Sequence, residues 1–250
     1  MKSYPLFRMA NLAYKYAFWL YYPFYVLYKN ISDRNEMSIF RRLIKPGDRI
    51  IDIGANIGVF TRRLAKLTGP TGEVYAFEPH LRNYELLLKT TRHFPTIHLY
   101  NAAISNQSGT IGLYISEDLN VDHRTFPTTE IRTKQSVTCY SLDSFLREKP
   151  VDFIKMDIQG SEYKALLGMQ KTLRNNQQLA MLMELWPYAL IEAGTSSKAV
   201  IDLLCENRFF LYLVLNDKFV EFSDQLIGRK ERDDYLLLAI RQPERLVGHA

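Results

Sequence analysis

Residues 49–60 have the sequence RIIDIGANIGVF, and this stretch decides the fold. Its first five residues are mostly apolar and β-branched, which predicts a short buried strand. Two glycines follow in GANIG, and they allow a tight turn. The sequence from Val59 onward has the spacing of an amphipathic helix. A strand, a glycine-containing turn and a helix form the first half of a βαβ unit, which predicts a parallel sheet.

The rest of the chain repeats this alternation of short apolar runs and helical patterns. The predicted strands are 49–53, 73–78, 97–103, 110–115, 136–142, 152–157, 179–185, 209–215 and 235–241. The predicted helices are 59–67, 83–91, 161–173 and 197–206. Strands that alternate with helices predict an α/β fold with helices on both faces of a mostly parallel sheet.

Composition limits the classes of protein to which the chain can belong. With 250 residues, 47% of them hydrophobic and 24% charged, it fits one α/β domain with an appendage and is not a disordered chain. Its two cysteines, Cys139 and Cys205, do not have metal-ligand spacing. We therefore expect neither a disulfide framework nor a metal site. We also expect a reducing location, the cytoplasm.

The net charge of +5 is concentrated at the N-terminus. Residues 1–49 contain nine Lys/Arg and three Asp/Glu, whereas the remaining 201 residues contain 23 Lys/Arg and 24 Asp/Glu. The basic character therefore belongs to an N-terminal segment and gives no reason to expect a nucleic-acid partner for the main domain. We predict a basic, aromatic helical appendage over residues 1–48 and a second unit over residues 49–250.

Residues 1–30 contain eleven of the 32 aromatic residues. Residues 16–28 are thirteen uncharged residues between Lys15 and Lys29, too short a run for a membrane span of about 20 residues. Pro23 would also kink a helix there. Two interpretations stay open. The segment either lies in a membrane surface, with the inner face expected, or packs on the main domain or a second subunit.

Polar residues follow the first two predicted strands. The first loop holds Asp52, Gly54, Asn56 and Gly58, and it differs from a dinucleotide-binding loop because Asn56 replaces the second glycine. Glu78 ends the second strand, where a carboxylate can accept hydrogen bonds from ribose hydroxyls. Together these residues predict an adenosine-containing cofactor. A nicotinamide oxidoreductase is an alternative that the missing glycine disfavours.

Two further carboxylates follow the predicted strand at 152–157. Asp157 ends that strand and Glu162 lies in the first turn of the next helix. The carboxyl ends of parallel strands form a ligand-binding crevice, so both are candidates for acid–base chemistry. The alternatives are a capping role for Asp157 and a helix-dipole role for Glu162. His123, in the polar stretch 116–135, is a third candidate base or merely a solvated residue.

The ordered motifs of residues 49–215 resemble the FkbM family of S-adenosylmethionine-dependent methyltransferases. The matching pieces are IDIGANIGVF (51–60), VYAFEPH (74–80), NAAIS (101–105), YSLDSFL (140–146), DFIKMDIQGSE (152–162) and LMEL (182–185). Two positions depart from the family pattern. Gln159 stands where the family usually has Glu, and His80 replaces the common proline.

The resemblance implies a class I, Rossmann-like methyltransferase fold with a seven-stranded sheet whose last strand is antiparallel. It implies S-adenosylmethionine as cofactor and O-methylation of a sugar, polysaccharide or other hydroxylated metabolite. A non-catalytic, membrane-associated module is the remaining alternative. By residue, the resemblance implies that Asp52, Gly54, Asn56 and Gly58 line the methionine part of the cofactor, Glu78 the ribose and Ala103 the adenine, and that Asp157 and Glu162 form the acidic pair.

Overall fold

The computed structural model describes residues 5–116, 121–128, 130–215, 218–227 and 233–246. Its helices are α1 (Pro5–Tyr16), α2 (Phe18–Ser32), α3 (Arg34–Leu43), α4 (Val59–Thr68), α5 (Leu81–Thr91), α6 (Leu142–Leu146), α7 (Glu162–Leu167), α8 (Gln170–Asn175), α9 (Pro187–Glu192) and α10 (Ser197–Glu206). Its strands are β1 (Arg49–Ile53), β2 (Glu73–Phe77), β3 (Ile97–Tyr100), β4 (Ala103–Ile104), β5 (Gly109–Ile115), β6 (Thr133–Tyr140), β7 (Phe153–Met156), β8 (Ala180–Leu185), β9 (Phe210–Leu215), β10 (Lys218–Glu221) and β11 (Tyr235–Ile240). Short 3₁₀ turns cover Asp224–Leu226 and Pro243–Leu246.

The main sheet has the order β10-β9-β11-β8-β7-β1-β2-β3. Five adjacent strands, in the order β8, β7, β1, β2 and β3, pair in parallel. Strand β11 runs antiparallel to both of its neighbours, β8 and β9. This confirms the predicted class I α/β fold and its antiparallel last strand. The sheet has eight strands instead of the expected seven, because β10 folds back onto β9.

Helices cover both faces of this sheet. Successive side chains of a strand point to opposite faces, and the fully buried residues of β1 follow this rule. Ile50 packs in the cluster that contains α3 and α4, while Ile51 packs in the cluster that contains α7 and α10. Ile39 and Phe40 of α3 are completely buried there. Thus α3, which lies before the predicted division after residue 48, belongs to the core of the domain.

Three predicted elements are divided in the structure. The predicted strand 97–103 becomes β3 in the main sheet and β4 in a second sheet of order β4-β6-β5. The predicted helix 161–173 becomes α7 and α8, which separate at Gly168. A Cβ atom on Gly168 would lie 2.0 Å from the carbonyl oxygen of Ser105. The end of the predicted strand 136–142 instead begins α6, where the Ser141 hydroxyl accepts a hydrogen bond from the Ser144 N–H.

Helices α1 and α2 are joined through Ala17 and pack on the loop after β1, on α4 and on α5; this pair of helices, residues 5–32, is called the hairpin below. Tyr14, Phe18 and Tyr22 are buried against a small cluster that includes Ile57 and Leu86. Ala17 separates the two helices, and α2 continues past Pro23. Within the part of the chain that the structure describes, none of the helices has the length and hydropathy that a membrane span requires. Residues 1–4 of the predicted surface segment lie outside the described residues.

Candidate active site

A cavity of about 930 Å³ lies at the carboxyl ends of β1, β2 and β7. This volume is near the upper end of the range for ligand cavities, about 300–1,000 Å³. Its walls come from the strand-end loops, from residues 121–125 and from the α1–α2 hairpin. The predicted site residues that line it are Gly54, Asn56, Glu78, Ala103 and Asp157.

The loop after β1 needs unusual backbone conformations. Gly54 has a φ of +83°, and a Cβ atom there would lie 2.0 Å from the carbonyl oxygen of Asp157. This loop therefore touches the loop after β7, and a side chain at position 54 would separate them. Asn56 also has a positive φ, +50°. Its side-chain oxygen is buried and has no hydrogen-bond partner among the described residues.

The Glu78 carboxylate is held in the cavity wall by backbone groups. Its Oε2 accepts a hydrogen bond from the Asn56 N–H at 2.8 Å, and its Oε1 accepts one from the His80 N–H at 2.9 Å. Glu78 is only 5% exposed. Burial raises the pKa of Glu78 to about 7, because desolvation disfavours the charged form more than these hydrogen bonds favour it.

Asp157 differs from Glu78 because its pKa is lowered and not raised. It lines the cavity with 41% of its side-chain surface exposed. Partial burial would raise its pKa, but two neighbours hold the pKa below the usual range. They are Lys155, whose Nζ lies 3.6 Å from Asp157 Oδ2, and the Gln159 amide, which donates to Oδ1 at 2.9 Å. Asp157 is therefore ionised at neutral pH and faces the cavity.

Two of the predicted cofactor-binding residues lie behind the loop and do not line the cavity. Asp52 is completely buried on the face of β1 toward α4, where it accepts a hydrogen bond from the Thr61 hydroxyl at 2.7 Å. Strand alternation explains this placement, because Asp52 shares a face with Ile50. A Cβ atom on Gly58 would lie 2.7 Å from Leu87 Cδ1. Gly58 thus permits close packing of the loop on α5.

Glu162 also lies outside the cavity lining. Its Oε1 accepts hydrogen bonds from the N–H groups of Ile158 and Gly160, at 3.2 and 3.3 Å. These bonds stabilise a turn in which Gln159 and Gly160 both have positive φ. Burial raises the pKa of Glu162 to about 7. The carboxyl group therefore supports the loop that carries Asp157, and of the predicted acidic pair only Asp157 lines the cavity.

The sequence analysis missed Lys155, which lines the cavity, and Glu184, which shares the Gln159 amide with Asp157. Lys155 Nζ donates to the Gly54 carbonyl at 3.3 Å and lies 3.8 Å from Asp52 Oδ1. The Gln159 amide donates to Glu184 Oε2 at 2.7 Å as well as to Asp157, and burial raises the pKa of Glu184 well above its usual range. Each is a charged residue inside an apolar strand. Charged residues are seldom buried unless they are paired, so their position inside apolar strands could have identified both residues from the sequence.

His123 belongs to a loop that closes one side of the cavity. The loop is held by Arg124, which pairs with Asp122 at 2.8 Å and with Glu192 of α9. The His123 ring packs on the His80 ring with centroids 4.1 Å apart. Burial lowers the pKa of His123 to about 3, so this imidazole is neutral and only weakly basic. No group of three His, Cys, Asp or Glu among the described residues could hold a metal ion.

The α1–α2 hairpin forms the outer wall. Its position is fixed by a hydrogen bond of 2.5 Å from the Tyr14 hydroxyl to Asn83 Oδ1 and by one of 2.7 Å from Arg62 to the Tyr22 hydroxyl. Tyr21 and Tyr25 of α2 line the cavity. The second of the two open interpretations, packing on the main domain, is therefore observed for one face of this segment.

The sequence pattern of the methyltransferase FkbM domain matches residues 52–211. The chain belongs to this family. It is an S-adenosylmethionine-dependent methyltransferase, and the nicotinamide oxidoreductase alternative is discarded. The matched range begins at Asp52 and includes the first loop, Glu78 and Asp157. Among curated proteins, none matches the chain.

Solved structures are similar to the chain at low sequence identity. A putative rRNA-methylase from Clostridium thermocellum is 12% identical, with a TM-score of 0.52 over 82% of this chain and 92% of that chain. An S-adenosylmethionine-dependent O-methyltransferase from Thermotoga maritima is 16% identical (TM-score 0.47, covering 83% and 65%). Aeropyrum pernix fibrillarin, solved with S-adenosylmethionine, is 18% identical (TM-score 0.45, covering 79% and 68%). The first likeness supports the fold, and none of them identifies the acceptor.

Proposed function

We propose that this methyltransferase acts on a hydroxyl group of a small molecule or glycan, and not on a nucleic acid. The observation that carries the proposal is the position of the Asp157 carboxylate in the wall of the cavity, 3.6 Å from Lys155 Nζ, which favours its ionised form. An anionic oxygen there suits a hydroxyl acceptor, which must lose a proton. The 201 residues after position 49 contain 23 Lys/Arg and 24 Asp/Glu, and this balance does not favour a phosphate backbone as partner.

The residues of the cavity fit S-adenosylmethionine. Glu78, oriented by two backbone N–H groups, would accept hydrogen bonds from the ribose hydroxyls. The unpaired side-chain oxygen of Asn56 offers an acceptor beside Gly54, where we assign the methionine part. Ala103 would lie near the adenine, since it lines the cavity from the adjoining sheet. Asp52 and Gly58 would act indirectly, by shaping the loop from behind.

When bound, the cofactor supplies a methyl group already activated by a sulfonium. The protein then has to align the acceptor oxygen and remove its proton. Asp157 would accept a hydrogen bond from the acceptor hydroxyl, and then its proton while the new C–O bond forms and the C–S bond breaks. The proton of an alkylated alcohol is strongly acidic, so a carboxylate with a low pKa suffices. Lys155 would keep Asp157 ionised, and Glu162 would hold its loop.

Substitution of Asp157 tests this assignment. Asp157→Asn preserves size but removes the base, so we expect turnover to fall about 10²–10⁴-fold while the Kd for S-adenosylmethionine changes little. The assay measures S-adenosylhomocysteine release with a panel of sugars and hydroxylated lipids, and calorimetry measures cofactor binding. Glu162→Gln is the matched carboxyl-to-amide control, and it should lose less activity. Turnover close to wild type in Asp157→Asn would contradict the proposed role.

The exposed face of the hairpin supports a second part of the proposal, attachment to an anionic membrane surface such as the inner face of the cell membrane. Between residues 11 and 32, the large apolar side chains that are more than half exposed are Leu12, Tyr16, Trp19, Leu20, Phe24, Leu27, Tyr28 and Ile31. Residues 1–32 contain four Lys/Arg and no Asp/Glu. Aromatic and basic residues in this combination favour the lipid headgroup region.

Vesicle co-sedimentation tests the membrane attachment. The full-length protein should sediment with vesicles that contain phosphatidylserine, and the bound fraction should fall at high salt because the electrostatic part is screened. Vesicles of phosphatidylcholine alone are the control and should bind less. If neither kind of vesicle binds the protein, the exposed apolar face has another partner and this part of the proposal is wrong.

A further inference from the structure

The apolar surface of α2 continues from solvent into the cavity. Leu20, Phe24 and Tyr28 all line the cavity, yet they are 74%, 76% and 62% exposed. Their spacing of four residues puts them along one edge of the helix. These three residues, here called the rim stripe, therefore form an apolar path between the outer face of the hairpin and the interior of the site.

The path leads into a cavity whose two sides differ in chemistry. On the hairpin side, Tyr21 and Tyr25 stack with ring centroids 5.3 Å apart and contribute apolar surface to the wall. On the side of the strand ends, the polar residues Asp157, Thr125 and Ser161 are part of the lining, and the hydroxyls of Thr125 and Ser161 share a hydrogen bond of 2.6 Å. One cavity thus combines an apolar wall that reaches solvent with polar groups around the proposed base.

We infer that the acceptor is an amphiphile, with a hydroxylated polar headgroup held at Asp157 and an apolar chain that lies along the rim stripe. The inference rests on the proposed hydroxyl methylation and specifies its substrate class. A free sugar would leave the rim stripe in water. A chain would bury it and gain affinity with each methylene removed from water. Because the hairpin also carries the proposed membrane face, such a substrate could enter the site from the bilayer.

Alkyl glucosides provide the probe. Glucose and its butyl, hexyl and octyl glucosides are titrated into the full-length protein, below their micelle-forming concentrations and with saturating S-adenosylhomocysteine. We expect the Kd to fall about twofold to fourfold for each added methylene. Phe24→Ser and, independently, Leu20→Ser should flatten this dependence. Leu27→Ser is the matched control, since Leu27 is 58% exposed on the same helix but does not line the cavity.

The outcomes separate this inference from the proposed function. Calorimetric binding of S-adenosylmethionine is measured first for every variant, and it also shows that each variant is folded. If the cofactor binds but the Kd is independent of chain length, the amphiphile inference alone is overturned. The inference is also overturned if Leu27→Ser flattens the dependence of Kd on chain length as much as Phe24→Ser does. The alkyl chains would then adsorb to the exposed face in general. Failure of the wild type to bind the cofactor overturns the proposed function and this inference together.

Discussion

Glu78 is the residue whose ionisation we expect to control cofactor affinity. Burial raises its pKa to about 7, and ribose hydroxyls donate hydrogen bonds better to a carboxylate than to a carboxylic acid. Cofactor affinity should therefore fall as the pH drops below about 7, by up to about tenfold per pH unit. Calorimetric titrations at several pH values measure this dependence.

The control is Glu78→Gln, which preserves the shape and removes the titration. At about pH 8 this variant should bind S-adenosylmethionine about 10–100-fold more weakly, the scale of about 1–3 kcal/mol for a hydrogen bond to a charged group. Its affinity should also lose the steep dependence on pH. An equally steep profile in the variant would mean that another group titrates and that Glu78 does not contact the ribose.

Glu162 predicts a pH dependence of stability. Its pKa is about 7 in the folded protein and 4.5 without burial, so ionisation costs more in the folded state. Its contribution to the free energy of unfolding is therefore most favourable below about pH 4.5 and is lost as the pH rises through about 7, by up to about 3 kcal/mol. Glu162→Gln does not titrate. The free energy of unfolding of the variant minus that of the wild type should therefore increase when the pH is raised from about 5 to about 8.

Urea unfolding of both proteins at the two pH values measures the difference. The Gln oxygen can still accept from the N–H groups of Ile158 and Gly160. Its amide nitrogen takes the place of Oε2, which has no partner among the described residues. A stability difference that does not change with pH would show that Glu162 is ionised throughout.

At the scale of elements, local pattern predicted the βαβ framework but not the points where elements divide. β1 and its loop could be predicted because apolar β-branched residues and glycines act locally. At the division between α7 and α8, the Ser105 carbonyl approaches Gly168 too closely for a side chain to fit, and these two residues are 63 positions apart. Likewise, the resemblance suggested that Asp52 lines the site, but the face of β1 on which it lies depends on the packing of α4.

The hairpin gives a prediction at this scale. Tyr14→Phe removes the hydroxyl that bonds to Asn83. A lost buried hydrogen bond of about 1 kcal/mol should increase the population of the undocked hairpin about fivefold. Limited trypsin digestion after Lys15 should accelerate accordingly. Tyr16→Phe is the matched control, because Tyr16 is 84% exposed, and it should be cleaved at the wild-type rate. Equal rates in the two variants would show that this bond does not hold the hairpin in place.

At the scale of the whole molecule, the two interpretations of the N-terminal segment are compatible. One face of the hairpin packs against Ile57 and Leu86, and the other carries the exposed apolar residues. Composition alone could not assign the faces, since aromatic residues occur all around α2. The sequence predicted which strand-end loops meet, but that residues 11–29 complete the cavity wall follows only from the fold.

This arrangement predicts what happens when residues 1–31 are removed. The two large core clusters contain no buried residue before Ile39, so the truncated chain should fold, with a moderately lower Tm. Without Tyr21 and Tyr25 the cavity loses a wall, so S-adenosylmethionine should bind more weakly, and vesicle binding should disappear. Full-length Leu27→Ser should weaken vesicle binding alone. If the truncated chain bound the cofactor as tightly as the full-length chain, the hairpin would be a membrane attachment without a part in the site.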